Sequence, residues 1–374
     1  MRQRLAPGKV VLLIGARQTG KSTLLREVER EYRAAGRKVL HLDCDDAAVR
    51  MRLEVQQMPN LQNLVGDTEL LIIDEAQRVK NIGLTLKILV DQVKTPHILV
   101  SGSSALELSN EINEPLTGRK WELTMPPISI AELSAFHGAF EEERRLEQRL
   151  LYGLYPEIVT NSGMERPLLQ QLTSSYLYKD VFNFKELRKP ELLDRLLKVL
   201  ALQIGSEASY NSIAAAVTSD IATVQRYIEL LEKAFIIFRL PAFSRNVRNE
   251  LKRSRKIYFW DLGVRNALVG DFRPIAARND IGALWENFLV SERFKYNLHR
   301  EFYGHAYFWR TTQQQEVDYL EDIDGQLHAF EFKWSTNKGA SLPLTFKNAY
   351  PGSSFEVIRP DNYLSFTAPA PQGN

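Results

Sequence analysis

Gly15-Ala16-Arg17-Gln18-Thr19-Gly20-Lys21-Ser22 decides how the first third of this 374-residue chain is read. An apolar run, Val10 to Ile14, leads into it, and Leu24, Leu25 and Val28 follow at helical spacing as far as Tyr32. That order predicts strand, loop and helix. The octapeptide has the form G-x-x-x-x-G-K-S, whose glycines let backbone N–H groups wrap around phosphate oxygens while the helix N-terminus adds its positive end. In such a loop Lys21 holds the β- and γ-phosphates of ATP and the Ser22 hydroxyl sits on Mg²⁺. Thr23 completes the candidate contacts.

A second element follows where phosphoryl transfer needs it. Leu70-Leu71-Ile72-Ile73-Asp74-Glu75 reads as a buried strand ending in two carboxylates. Asp74 would hold the Mg²⁺ shell and Glu75 would polarise the attacking water, because this reaction depends on positioning and charge neutralisation. The alternative is a loop that binds nucleotide without turnover. Two more strands, Lys38 to Leu42 and His97 to Val100, complete a βαβ alternation, which predicts an α/β fold with a parallel sheet covered on both faces. The last strand runs into Ser101-Gly102-Ser103-Ser104, where Ser101 or Ser103 either senses a γ-phosphate or simply forms a strand-end turn. Arg119, in Leu116-Thr117-Gly118-Arg119, would reach a γ-phosphate in cis or from a neighbouring subunit, or is a plain surface arginine.

Composition sets limits around this reading. Hydrophobic residues at 44% and charged residues at 25% describe an ordinary globular chain, which excludes a disordered or rod-like one. Lys and Arg number 48 against 46 Asp and Glu, so any basic patch must be local. The single cysteine, Cys44, excludes an internal disulfide and suits a reducing compartment. The apolar runs are too short to span a bilayer and no signal-type segment opens the chain, so a soluble cytoplasmic protein without membrane contact is expected. Six scattered histidines, with no pair at i, i+4 and no cysteine partner, argue against a zinc site. No G-x-S-x-G elbow supports triad-type hydrolysis.

The basic hot spot is in the middle of the chain. Arg239, Arg245, Arg248, Lys252, Arg253, Arg255 and Lys256 face only one acidic residue, Glu250. Before it, Glu191 to Ile204 carries a leucine stripe at helical spacing. Tyr210 to Val217, a turn at Thr218-Ser219-Asp220, and Ile221 to Lys233 then read as helix, turn, helix. Strands at Phe235 to Leu240 and Ile257 to Trp260 flank the basic stretch. This order predicts a winged helix-turn-helix. On a DNA-binding reading, Thr223, Gln225 and Arg226 enter a groove while Arg245, Arg248, Lys252, Arg253, Arg255 and Lys256 neutralise phosphates. A winged helix used for protein contacts is the other reading.

The last hundred residues hold a helix-like segment, Ile281 to Leu298, bearing Glu286, and a hairpin around Asp322-Ile323-Asp324-Gly325. Asp318 lies on one strand, and Glu331 and Lys333 share a face of the other. Two carboxylates suit a Mg²⁺ or Mn²⁺ ion, and the lysine would orient or deprotonate water. This D…E-x-K arrangement matches restriction-endonuclease-like folds, with Glu286 as the helix acid. A nuclease fold reused as a docking scaffold is the alternative.

The motifs together resemble a bacterial and archaeal ATPase family that joins an AAA-type domain to a C-terminal region catalogued as a domain of unknown function. The resemblance rests on Gly15 to Ser22, Asp74-Glu75-Ala76-Gln77, Ser101 to Ser104, Leu116 to Arg119 and Pro127-Ile128-Ser129-Ile130-Ala131-Glu132-Leu133. It continues through Gly153 to Val159, Tyr176 to Val181, Tyr258 to Val264, Gly282 to Val290 and Glu316 to Lys333. Relatives in that family carry a longer segment before the first strand, so the adenine contacts are unassigned. The expected organisation is an AAA-like ATPase domain over 1–150, a helical linker and winged helix over 151–270, a restriction-endonuclease-like domain over 271–366 and a disordered tail over 367–374. The function expected is a Mg²⁺-dependent ATPase acting on branched or broken DNA, within a homo-oligomeric ring. A nucleotide-dependent switch that binds another protein and an ATP-gated DNA nuclease are its rivals.

Overall fold

The computed structural model describes residues 1–93, 96–102, 115–177, 189–244, 255–300, 302–335 and 339–369. The chain divides into two compact units, Met1–Pro126 with Lys233–Phe235, and Pro127–Glu232 with Ile236–Asn374. Residues 127–150, expected with the nucleotide domain, therefore fall in the second unit, with the expected C-terminal region and all of the middle region except Lys233–Phe235.

In the first unit, β1 (Val10–Ile14), β2 (Val39–Asp43), β3 (Leu70–Asp74), β4 (His97–Gly102) and β5 (Lys120–Thr124) form one sheet in the order β2-β3-β4-β1-β5. Every pairing is parallel. Helices α1 (Lys21–Ala34), α2 (Ala47–Glu54), α3 (Met58–Val65) and α4 (Ile82–Ile88) cover it. Strands buried on both faces read as continuous apolar runs, and alternation sorts their side chains between two cores. Val10, Leu12, Ile14, Leu71 and Ile73 join Leu53, Leu61 and Leu86 on one face. Val11, Leu70, Ile72 and Leu99 meet Leu25 and Val28 of α1 on the other. Fully burying one such leucine or isoleucine contributes about 1.5–3 kcal/mol, so this sandwich fixes the sheet that carries the loop. Cys44 is a free, fully buried side chain within it.

In the second unit, Ser129 and Glu132 form a reciprocal capping box that starts α5 (Ile130–His137). The leucine stripe appears as α6 (Pro190–Leu202), with Leu192, Leu193, Leu196, Leu197 and Leu200 buried. The expected helices follow as α7 (Tyr210–Val217) and α8 (Ile221–Lys233), joined at Thr218, whose φ of 54° ends α7. A three-stranded sheet, β6 (Glu207–Ala208), β7 (Ile237–Pro241) and β8 (Arg255–Phe259), has the order β6-β8-β7 and is antiparallel throughout.

After α9 (Leu262–Val269) and α10 (Ile281–His299), a four-stranded sheet of β9 (His305–Arg310), β10 (Glu316–Ile323), β11 (Gln326–Phe332) and β12 (Ser354–Ile358) has the order β12-β11-β10-β9. The β10–β11 hairpin closes through Asp324 and Gly325, at φ 52° and 86°. Asp-Gly is the pair that tolerates two left-handed residues in succession. The chain's last described helix is α11 (Tyr363–Thr367), and Thr367 is buried within it. Thr367 is thus part of the folded unit rather than the start of a disordered tail, and 370–374 lie outside the described residues.

Candidate functional site

All five strands of the first sheet run the same way, so the loop after β1, the end of β3 and the end of β4 emerge at one carboxyl edge. That is where open α/β sheets bind ligands. β4 lies between β1 and β3, which places Ser101 between the loop and Asp74.

The loop has the backbone its sequence demands. Gln18 and Gly20 have φ of 59° and 98°, and Gly20 caps the 14-residue α1 with its first N–H groups facing the loop. Gly15 is required for a different reason: a Cβ there would stand 2.1 Å from the carbonyl oxygen of Met125. Met125 also donates its N–H to Ile14 O at 2.7 Å, so the residue after β5 braces the loop's entrance. Lys21 is buried, and its Nζ donates to Gly15 O at 3.0 Å and Ala16 O at 2.6 Å. Thr19 Oγ1 donates to Ala16 O at 3.0 Å. Ser22 is half-buried in the first turn of α1, and Thr23 is exposed beside it.

Ser101 is fully buried, and its hydroxyl donates to Asp74 Oδ1 while accepting the Glu75 N–H at 3.2 Å. Its hydroxyl thus links the two carboxylate residues. Glu75 stands in a left-handed conformation, φ 53°, and its Oε2 accepts from Gln77 Nε2 at 2.6 Å. Ser103 and Ser104 lie outside the described residues.

Arg119 corrects the expectation of a contact in cis. It immediately precedes β5, its carbonyl accepts from Val10 N, and its Nε donates to Asp91 at 2.7 Å. Val10 starts β1, whereas the phosphate loop leaves its other end, about 13 Å along the strand. Arg119 is on the opposite edge of the sheet from Lys21, Asp74 and Glu75.

The donor set fits nucleotide and Mg²⁺. A buried ammonium, a ring of loop amides at a helix N-terminus, a hydroxyl at Ser22 and an ordered carboxylate at Asp74 are the groups a triphosphate and a hard cation require.

In the second unit, the exposed side of α8 carries Gln225 and Arg226, while Val224, Tyr227, Ile228 and Leu231 are buried. The Thr223 hydroxyl is engaged at the start of the helix, donating to Asp220 Oδ2 at 2.7 Å, and so acts as a cap contact instead of a groove contact. Of the basic residues, Arg245, Arg248, Lys252 and Arg253 lie outside the described residues. Arg255 is half-buried near the Tyr210 hydroxyl at 3.4 Å. Arg239 is paired with Glu232 and Tyr210. Lys256 overturns its assignment to the wing: it is 2% exposed, 2.7 Å from Glu286 Oε1 and ion-paired with Glu316.

The four acidic and basic residues expected to converge near the hairpin do so. Lys333 Nζ is 2.5 Å from Glu331 Oε1. Asp318 Oδ2 accepts the Phe332 N–H at 2.8 Å, and burial with the Glu286 and Glu331 charges pushes its carboxyl up to about 8. Glu286 Oε1 accepts from both Lys256 and the Tyr258 hydroxyl, the latter at 2.6 Å. Among the described residues, no group of three or more His, Cys, Asp or Glu side chains is arranged to hold a metal ion. One oxygen each of Glu286, Asp318 and Glu331 is engaged by Lys256 and Tyr258, by a backbone amide and by Lys333, so the cluster's cationic partners come from the chain itself. Sequence reasoning missed Lys256, Tyr258 and Glu316 as members. The signal was present, since Lys256 and Tyr258 are two apart on a strand and share one face.

Three family models match parts of the chain. Residues 7–134 match the family described as an AAA domain. Residues 143–274 and 281–364 match two families each described as a domain of unknown function. An uncharacterized protein of Mycobacterium tuberculosis is 27% identical over 348 residues, covering 92% of this chain and 74% of its own. An uncharacterized protein of Haemophilus influenzae is 24% identical, covering 70% and 69%. A Walker-type ATPase of Pyrococcus abyssi has 17% identity and a TM-score of 0.46, over 69% of this chain and 90% of that one. The fold and loop define a P-loop NTPase. More narrowly, residues 7–134 carry an AAA-type P-loop ATPase domain, joined to a C-terminal region that matches domains of unknown function. Among the described residues, no helix is long and apolar enough to cross a membrane.

Proposed function

We propose that this ATPase acts on DNA, coupling hydrolysis at the phosphate loop to a winged helix in its second unit. Bound ATP with Mg²⁺ supplies the scissile phosphoanhydride and a cation that neutralises developing charge. Lys21 exchanges its two loop carbonyls for phosphate oxygens, Ser22 and Asp74 hold the cation, and Glu75 takes a proton from the attacking water. Ser101 keeps Asp74 and the Glu75 backbone in register throughout. The observation that carries the hydrolytic half is Asp74 held by a fully buried Ser101 on the strand beside the loop, with Glu75 next in the chain.

Support for the DNA half is the pair of helices α7 and α8 followed by antiparallel strands, with Gln225 and Arg226 outward and Arg255 at the start of β8. The basic stretch that precedes β8 supplies phosphate contacts, and branched or broken DNA is the substrate class. Arg119, lying away from its own loop, acts on a γ-phosphate only from a neighbouring copy, which makes a homo-oligomeric ring the working form.

The test is ATP turnover on linear, single-stranded and four-way DNA, with Lys21→Ala as the inactive reference. Stimulation by at least one DNA form is expected. Turnover in the wild type that no DNA form changes would overturn the DNA half and leave a protein-binding nucleotide switch. That reading is favoured by Phe136 and Phe140, which are 83% and 73% exposed four residues apart.

A further inference from the structure

The hairpin cluster has the residue types of a metal-dependent phosphodiesterase and yet a different cation at its centre. Lys256 reaches it from β8, Glu286 from α10, and Glu316 and Asp318 from β10. The Lys256 side chain is 2% exposed, with its Nζ 2.7 Å from Glu286 Oε1, ion-paired with Glu316 and 5.4 Å from the Phe308 ring centroid. Those carboxylates hold its ammonium well above the usual lysine range despite burial, so it is charged.

Cations of the chain itself stand among the acids of this cluster. Glu286, Glu316, Asp318 and Glu331 are the acids, while Lys256, Lys333 and Arg310, whose Nε is 3.6 Å from Glu316 Oε2, are the bases. A divalent ion would need free carboxylate oxygens in near-octahedral array. Here Glu286 Oε1 already accepts two hydrogen bonds and Asp318 Oδ2 accepts a backbone amide.

We infer that the Lys256 ammonium occupies the cation position of this nuclease-like carboxylate cluster, filling it from within the chain and making the domain a non-cleaving joint that ties β8 to α10 and β10. The joint anchors the downstream end of the basic stretch to the layer formed by the helix and the hairpin. A chain so arranged has no vacancy for the metal that phosphodiester cleavage requires, and removing the lysine should create one.

Mn²⁺ alone is the probe, titrated into the full chain without nucleotide and followed by the paramagnetic signal of the free ion, so the outcome does not depend on the ATPase reading. Wild type and Asp318→Asn should give superimposable isotherms. Lys256→Met should gain a site at least about tenfold tighter than anything in wild type, the scale on which changes around a metal move its affinity. That site should vanish in Lys256→Met combined with Asp318→Asn. Mn²⁺ should also raise the melting temperature of Lys256→Met and not of wild type. If the methionine variant does not fold, Lys256→Gln, which keeps a donor toward Glu286 without the charge, is titrated in its place. A wild-type Mn²⁺ site lost in Asp318→Asn, or a folded Lys256 variant that gains none, overturns the inference.

Discussion

The side-chain amide of Gln77 donates to Glu75 Oε2 at 2.6 Å, two residues beyond the end of β3. The left-handed backbone at Glu75 turns that carboxylate away from the strand's own direction, and Gln77 fixes where it rests. A general base must be released toward water to work, so the two residues carry separable effects. Glu75→Gln should lower kcat by about 10²-fold or more with nucleotide affinity intact, the range for losing a positioned base. Gln77→Ala should change kcat by less and leave affinity alone. Single-turnover hydrolysis with a fluorescent-nucleotide titration checks both; equal losses of binding in the two variants would remove Glu75 from the base role.

Substituting Gly15 tests the loop's foundation. Alanine there would put its Cβ 2.1 Å from a backbone carbonyl that is itself held in the sheet, so nothing soft is available to yield. Overpacking of this kind costs about 1–3 kcal/mol. For a chain of this size the thermal midpoint should drop by about 1–4 °C, together with weakened ATP binding. A variant that melts and binds like wild type would show that Met125 moves freely.

Stability should depend on pH through Asp318. Its folded carboxyl titrates at about 8, because burial and the Glu286 and Glu331 charges outweigh Lys256. An unfolded aspartate titrates near about 4, so between about 4 and 8 the folded chain keeps a proton that the unfolded chain has lost. Stability contributed by that proton is full below about 4 and is lost as pH rises to 8. Melting temperatures of wild type should therefore fall more steeply from about pH 5 to 8 than those of Asp318→Asn. Parallel profiles would exclude the shifted carboxyl.

Arg226 projects from the exposed side of α8, where a phosphate contact would be read as counterion release. Arg226→Ala should weaken DNA binding uniformly across sequences and reduce the log–log salt slope by about 1. Fluorescence anisotropy at several salt concentrations measures it, and an unchanged slope would exclude a contact through this residue.

Much of the nucleotide half was legible because its chemistry is local. The loop octapeptide and the apolar runs of β1 and β3 specify backbone and burial within a few residues, and the helix-turn-helix was readable from Val224, Tyr227, Ile228 and Leu231 at helical spacing. Sheet order was not written in any segment. Arg119 looked available to the phosphates until pairing of Val10 with Lys120 put it at the wrong end of β1. Lys256 failed for a related reason: a lysine in a basic run reads as solvated, and only the docking of α10 and β10 against β8 reveals the acids that bury it. The convergence of Asp318, Glu331 and Lys333 was inferable from period-two geometry and cross-strand pairing, and that of Glu286 from its likeness to the helix acid of such folds, but the cation inside the cluster was not.

Met125 stands both against Gly15 and at the close of β5, one residue before the nucleotide unit ends at Pro126. The polypeptide therefore leaves this unit directly after the residue whose carbonyl stands against Gly15 of the phosphate loop. A Gly15 backbone that shifts during a catalytic cycle meets the departing main chain directly, with no side-chain relay in between.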